Sequence, residues 1–462
     1  MLSRLNVGVQ GAVFIQDDDS KVLGMFTDGD VRRAILSGAS LDDDVTNYMN
    51  TGFVRGDATK SRMENMSLLN EKIRHIPVLD EHGQLVEMLT WTEMLNLPLM
   101  TPSLGGNELK YVNDCIVSGW ISSQGEYVRK FEDIFSKAHM NYHAVASSSG
   151  TAALHLALQS LELELGDEVL IPDLTFAATA NVVLHCNLVP VCVDINIDTW
   201  NIDIEKIEEK ITTRTKVIIP VHLYGHPCDM DSIMTVARNN NLYVIEDCAE
   251  AQGALYKGQP VGTFGHAGCF SFFSNKVITT GEGGMVISKN AGFADKVRLY
   301  RDHGMNKTKR YWHDVPGFNY RMTNMQAAIG LAQMERIDKF VSTRRHIGKR
   351  YIERLKDIEG LVMPPEKDWA STIYWIFSIL IDEEKTGIKR DHLIERLKLR
   401  NIETRPFFFP LHLQKPYLQD GEFPIANKLA NCGVSLPSAN DITDDSIDRV
   451  CLEIKDILNK NQ

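Results

Sequence analysis

From about Asn107 onward the sequence predicts an α/β fold with a largely parallel sheet, followed by a smaller α+β domain and preceded by a repeated α+β module. Three observations lead to this. Short apolar runs alternate with helical stretches through the middle of the chain, the pattern of strands covered by helices on both faces. Two similar phrases stand in the first hundred residues, as expected of a tandem unit. And 462 residues leave room for about three domains at roughly 150 residues each.

The first phrase, V-L-G-M-F-T-D-G-D from Val22 to Asp30, reads as a strand ending in a polar turn, with Val31 to Leu36 helical. Its second copy runs from Leu85 to Met94. An apolar strand and an acidic turn precede each: Ala12 to Ile15 before the first, Ile76 to Leu79 before the second. The segment resembles a pair of CBS motifs, and that resemblance implies an adenine nucleotide held by Thr27 and Asp30 against ribose and phosphate. In the second copy Glu93 takes the place of the Asp, and the first copy lacks an opening helix. The other reading is a packing or dimerisation module. Pro98, Pro102, Gly105 and Gly106 mark a linker over 98–106, so the expected domains are 1–97, 107–340 and 341–462.

In the middle domain the expected strands are Glu168 to Ile171, Val189 to Asp194, Lys216 to Val221, Leu242 to Asp247, Ala267 to Phe273 and Met285 to Ser288. Beyond about residue 340, Asp391 to Arg400 reads as helix and Trp375 to Ile381 as strand. With 49 Lys and Arg against 61 Asp and Glu, the net charge of −12 disfavours nucleic acid and anionic membranes as partners. No apolar run reaches the length of a membrane span, and a cytoplasmic location with reduced cysteines is expected. His222, His226 and Cys228 lie close in sequence, but Gly225 and Pro227 break any common helical face, so no metal is expected.

Three segments carry chemistry. Ser147-Ser148-Ser149-Gly150-Thr151 leads into an apolar helix whose first N–H groups can seat an anion, although a plain Ser N-cap would look the same. Asp247 closes a strand at its carboxyl end, where open α/β sheets bind ligands, or else it caps a neighbouring helix. Lys276 follows an aromatic strand and precedes Gly281, Gly283 and Gly284; in such surroundings a lysine loses basicity and can condense with an aldehyde, whereas singly it would read as a snorkelling surface residue. Together, a phosphate seat, an acid and a lysine describe one cofactor.

The motifs S-S-S-G-T-A-A-L, E-D-C-A-E-A-Q-G-A, F-S-F-F-S-N-K and G-F-N-Y-R-M resemble, in order and spacing, the pyridoxal phosphate-dependent nucleotide-sugar aminotransferases of the DegT/DnrJ/EryC1/StrS family. The resemblance covers about Asn107 to Asp448 and implies the fold-type I, aspartate aminotransferase-like architecture. It implies Lys276 as Schiff-base lysine and proton shuttle, and Asp247 as partner of the protonated pyridine nitrogen. It implies Gly150, Thr151 and Ser271 at the phosphate, Phe176 stacked on the ring and Glu250 near the 3′-oxygen. Asn319 would reach the phosphate of a partner subunit, which implies a homodimer with shared sites. Some relatives carry histidine in place of the lysine and dehydrate; with Lys276 present, transamination is expected.

The run from Glu403 to His412, with Ser435 to Ser438 and Gly119 to Gly125, resembles the perosamine synthase branch. That implies amino transfer from glutamate to a 4-keto-6-deoxy nucleotide sugar, with Arg405, Phe407, His412 and Arg321 as substrate contacts. The aromatic residues read equally as core of the small domain. A 3-keto sugar, UDP in place of GDP, and a noncatalytic nucleotide-responsive regulator remain the alternative readings.

Overall fold

The computed structural model describes residues 12–40, 42–60, 62–70, 72–91 and 96–459. The chain separates into two compact units, Met1–Leu97 and Pro98–Gln462.

In the first unit, β1 (Ala12–Gln16) and β2 (Val22–Thr27) form an antiparallel hairpin that runs into α1 (Asp28–Leu36). β3 (Gly56–Asp57), α2 (Arg62–Met66), β4 (His75–Leu79) and β5 (Leu85–Thr90) follow, with β3 parallel and β5 antiparallel to β4. A small core of Leu69, Ile76, Val78 and Leu89 lies on this second sheet. The polar turn expected after β2 begins the helix instead: Thr27 is the N-cap of α1 in a capping box with Asp30. The expected second-copy residues Thr92, Glu93 and Met94 lie outside the described residues.

The second unit opens with α3 (Glu108–Ser118) and α4 (Glu126–Ala138). Its sheet comprises β6 (His143–Ser147), β7 (Glu168–Pro172), β8 (Val189–Val193), β9 (Thr215–Ile218), β10 (Tyr243–Asp247), β11 (Ala267–Ser271) and β12 (Gly284–Ser288). The spatial order is β6-β12-β11-β10-β9-β7-β8, and the pairs from β11 to β8 are parallel. β12 runs antiparallel to both neighbours. Side-chain alternation divides β7, β9 and β10 between two cores: Val169, Ile171, Val217 and Ile245 join one, while Leu170, Ile218 and Val244 join the other. Runs of consecutive Val, Ile and Leu mark these strands because neither face meets water. β6 went unread in the sequence because its apolar part is only Ala144-Val145-Ala146.

Three helices place the sheet's carboxyl ends: α5 (Gly150–Gln159) after β6, α6 (Ala178–His185) after β7 and α7 (Met230–Asn239) before β10. Beyond α8 (Asn324–Met334) and the long α9 (Ile337–Leu355), the small domain builds an antiparallel sheet. Its strands are β13 (Leu361–Val362), β14 (Ser378–Ile381), β15 (Arg405–Pro406) and β16 (Gly433–Ser435), with α10 (Arg390–Lys398) and α11 (Asp444–Asn459). α9 and α11 are joined by Arg350 and Arg354, which both hold Asp448, at 2.7 and 2.9 Å.

The segment read as a linker is stitched into this unit. Leu99 is fully buried, its N–H donates to Glu403 (3.0 Å) and its carbonyl accepts from Ser438 N–H (2.8 Å). Gln333 donates to the carbonyl of Ser103 (2.8 Å). Among the described residues no helix is long and apolar enough to cross a membrane.

Candidate active site

The carboxyl ends of β6, β7, β10 and β11 surround a cavity of about 390 Å³ that reaches across to β15 and the loop before β14. Its lining includes Gly150, Thr151, Phe176, Thr179, Asp247, Glu250, Ser271, Lys276, Trp375, Arg405 and Phe408.

Ser149 caps α5, accepting the Ala152 N–H at 3.1 Å. The N–H groups of Gly150 and Thr151 belong to the first turn, where a helix supplies no carbonyl partner, so with the helix dipole they form an anion seat. Only glycine fits at 150: a Cβ there would lie 2.5 Å from Ser271 Cβ. This close approach brings the end of β11 against the start of α5 and sets Ser271 beside the seat.

Asp247 is the last residue of β10 and almost fully buried. It accepts the Thr179 hydroxyl of α6 (2.9 Å) and the Ala249 N–H (3.1 Å). Burial pushes its carboxyl above the ordinary range, against the pull of these donors and of Lys276. The preceding Glu246 points the other way by strand alternation and accepts N–H from Gly262 (2.7 Å), Phe264 (2.8 Å) and Gly265 (2.7 Å). Facing it at 3.2 Å is His222, whose Nδ1 accepts the Cys228 N–H (3.0 Å) and whose Nε2 therefore carries the proton donated to Glu246. Among the described residues, His222, Glu246 and Cys248 form the tight cluster with metal-ligand atoms. The Glu246 oxygens are already engaged in holding the 262–265 loop and the His222 nitrogens by Cys228 and Glu246, while His226 turns to Asn201 and Pro227.

Lys276 lies past β11, its side chain only 11% exposed. Burial lowers its basicity, against the attraction of Glu250 and Asp247. Its Nζ stands 4.0 Å from Glu250 Oε1 and 3.6 Å from the centre of the Trp375 indole. Glu250 is itself raised by burial and takes the Tyr224 N–H on its other oxygen (2.9 Å). A largely buried amine facing an acid at 4.0 Å, a second acid with lone pairs to spare, and an anion seat on one cavity fit pyridoxal phosphate. Gly150, Thr151 and Ser271 suit its phosphate, Asp247 its ring nitrogen, Phe176 its ring face and Lys276 its aldehyde.

The substrate residues divide. Arg405 lines the cavity and pairs with Glu403 (3.4 Å). Phe407 does not line it: the residue is 1% exposed, donates its N–H to Gly433 O (3.1 Å) and packs on Trp200 and Tyr224. Phe408 takes the cavity side, 6.0 Å from the Phe176 ring centre. His412 is buried against Asp173, with Nδ1 at 2.6 Å, and so braces the loop carrying Phe176 rather than facing the cavity. Asn319 and Arg321 bond one another (3.1 Å), Arg321 pairs with Asp302 (3.0 Å), and neither lines this cavity. Thr27 and Asp30 are likewise engaged: Asp30 accepts Thr27 N–H (2.9 Å) and hydroxyl (2.7 Å) and pairs with Arg33 (2.6 Å).

Thr179, Tyr224 and Trp375 were not read as site residues from the sequence, and Phe408 only as part of the aromatic run beside Arg405. Thr179 carries a signal, since it lies one helical turn past Phe176. Trp375 carries none, standing about a hundred residues from Lys276 and brought there by the small domain.

The sequence profile of the DegT/DnrJ/EryC1/StrS aminotransferase family matches residues 102–455, and that of the CBS domain matches residues 45–99. GDP-perosamine synthase of Escherichia coli O157:H7 is 45% identical over 366 residues, covering 79% of this chain and 99% of that protein. GDP-perosamine synthase of Vibrio cholerae is 42% identical over 368 residues, with 79% and 99% covered. Among solved structures, DesI in the presence of its TDP-sugar product superimposes with a TM-score of 0.74 at 30% identity, over 79% of this chain and 93% of that one.

Proposed function

The chain belongs to the DegT/DnrJ/EryC1/StrS aminotransferase family, and on that premise we propose that it transfers the amino group of glutamate to C4 of a GDP-linked 4-keto-6-deoxy sugar. It is a nucleotide-sugar aminotransferase with pyridoxal phosphate as cofactor. The observation that carries the finer reading is the convergence of Lys276, Asp247 and the α5 N-terminus on a cavity whose far wall supplies Arg405. The GDP-perosamine synthases named above supply the sugar and the nucleotide.

When bound, pyridoxal phosphate supplies an aldehyde for amines and a protonated ring that accepts an electron pair. Gly150, Thr151 and Ser271 hold the phosphate. Asp247, kept in place by Thr179 and Ala249, holds the proton on the ring nitrogen. Phe176, with Phe408 beside it on the cavity wall, would stand against the face of the ring. Lys276, with basicity lowered by burial, gives up its proton more readily than an exposed lysine and can move a proton between substrate carbon and its own Nζ. Arg405 offers a planar fork to the diphosphate. An assay of glutamate with GDP-, UDP- and TDP-linked 4-keto sugars and a 3-keto sugar tests the reading; turnover confined to the 3-keto sugar would contradict it.

Asn319 and Arg321 stand away from their own chain's cavity, and in our reading they complete the site of a second copy. Mixing Lys276→Ala protein with Asn319→Ala/Arg321→Ala protein should then restore part of the activity, because one hybrid site draws intact residues from both chains. No recovery in preparations shown to contain heterodimers would refute it. For the N-terminal unit, the mutual engagement of Thr27, Asp30 and Arg33 favours packing over nucleotide binding. Calorimetry of the whole chain with AMP and ATP should show no heat of binding, and saturable binding lost in Asp30→Ala would reverse this reading.

A further inference from the structure

Lys276 meets two groups that hold its ammonium from different sides, and both hang on one residue. Tyr224 is fixed in the left-handed region (φ 51°, ψ 18°), a costly conformation for a buried aromatic residue. Its N–H goes to Glu250, and its carbonyl accepts the N–H of Trp375 (3.1 Å). Trp375 is anchored again at its own carbonyl by the buried Arg344 (3.0 Å) and through its indole N–H, which donates to the carbonyl of Asn275 (2.7 Å). That last bond reaches the peptide linking Asn275 to Lys276. The same side chain therefore grips the lysine's backbone with its edge and faces the lysine's Nζ with its ring, 3.6 Å away.

We propose that Trp375 is a positioning residue for Lys276: the indole face parks the free ammonium, and the indole N–H fixes the peptide from which the lysine swings. This rests on Lys276 being the amine that serves the cofactor. An aromatic face attracts the cation and not the neutral amine, so the ring opposes the loss of basicity that burial imposes. It gives the side chain a defined place whenever Nζ is uncombined. The other charged or titratable groups around the cavity are Asp247 and Glu250 at the end of β10 and just beyond, Glu282 in the glycine loop, Arg405 on β15 and the Tyr224 hydroxyl. Glu250, at 4.0 Å, shares the ammonium with the ring.

The test uses the full-length chain freed of cofactor. The rate at which acetic anhydride modifies Lys276, read by mass spectrometry against pH, gives a midpoint that reports the charge of Nζ, while the plateau reports access. Trp375→Leu should lower the midpoint, raising the reactive fraction about fivefold at a pH below it. Trp375→Phe keeps a ring and should stay nearer the parent midpoint, yet both variants lose the anchor on Asn275 and should lower kcat more than they raise KM. Should the Leu protein fold poorly, 5-fluorotryptophan incorporated throughout the parent chain weakens the ring's attraction without changing its shape or its N–H, and should shift the midpoint the same way. A midpoint unmoved by both changes overturns the assignment. The role of Lys276 is read separately, by borohydride trapping of the cofactor on the parent chain and its loss in Lys276→Ala.

Discussion

In the proposed chemistry Asp247 and Lys276 depend on being nearly dry. Thr179 and Ala249 orient Asp247 without neutralising it, and burial keeps it waiting for a cation, as a protonated ring nitrogen would be. Asp247→Asn preserves the two donors' geometry and removes the charge. We expect it to retain cofactor and lose roughly a hundredfold or more in kcat, the scale at which a preorganised electrostatic partner acts; unchanged steady-state turnover would contradict the role. The sequence marks Asp247 as the last residue of an apolar strand and Lys276 as following the aromatic end of another, five residues past Ser271. Phe407 and Phe408 were not separable in the same way. Period-two alternation says that they point to opposite sides, but which side faces the cavity depends on the pairing of β15 with β16, Arg405 opposite Ser435. That register sets Phe407 over Gly433, where a Cβ would come within 2.2 Å of its ring.

Two elements govern how the site is presented. At α5, the close approach of Gly150 to Ser271 makes the phosphate seat a contact between helix and strand as well as a row of N–H groups. Gly150→Ala should force them apart at about 1–3 kcal/mol of stability and weaken cofactor affinity, with the fold retained. Titration of cofactor into the variant measures this, and parental affinity would show that the seat lies elsewhere. At the end of α4, His139 is wholly buried, stacked on Phe135 (4.3 Å between ring centres) with Nδ1 2.8 Å from that residue's carbonyl. Burial lowers its pKa from 6.5 to about 4. The folded state therefore holds fewer protons than the unfolded between those values, and the stability His139 contributes above pH 6.5 is lost as the pH falls toward 4. His139→Phe keeps an aromatic ring in place of the imidazole and removes the proton linkage. Over that interval denaturant unfolding should show the parent losing up to about 3 kcal/mol more than the variant; parallel curves would refute the linkage. The central strands were read as short continuous apolar runs between helical stretches, while β6 escaped because three small residues do not stand out as a strand.

At the scale of the molecule, the catalytic unit carries its own cores and begins at Pro98, not after the glycines at 105 and 106. Composition alone marked 98–106 as a spacer, since Pro and Gly suggest one; what it could not reveal is that Leu99 finds a buried slot more than three hundred residues later, beside Glu403 and Ser438. Removal of residues 1–97 should leave a folded, active enzyme. Removal of residues 1–106 also strips Leu99, whose burial alone is worth about 1.5–3 kcal/mol, and should lower Tm by several degrees. Equal thermal unfolding of the two truncations would contradict the stitched segment. In the proposed reaction this chain moves nitrogen from glutamate to a nucleotide sugar through Lys276. A single incubation of the cofactor-loaded chain with a GDP-linked 4-keto-6-deoxy sugar and glutamate labelled at its nitrogen, with the label followed by mass spectrometry, tests this. The parent chain should form a labelled amino sugar nucleotide in step with 2-oxoglutarate, and neither Lys276→Ala nor the cofactor-free protein should; an aminated product from Lys276→Ala, or none from the fully loaded parent, would overturn the role of Lys276 in amino transfer.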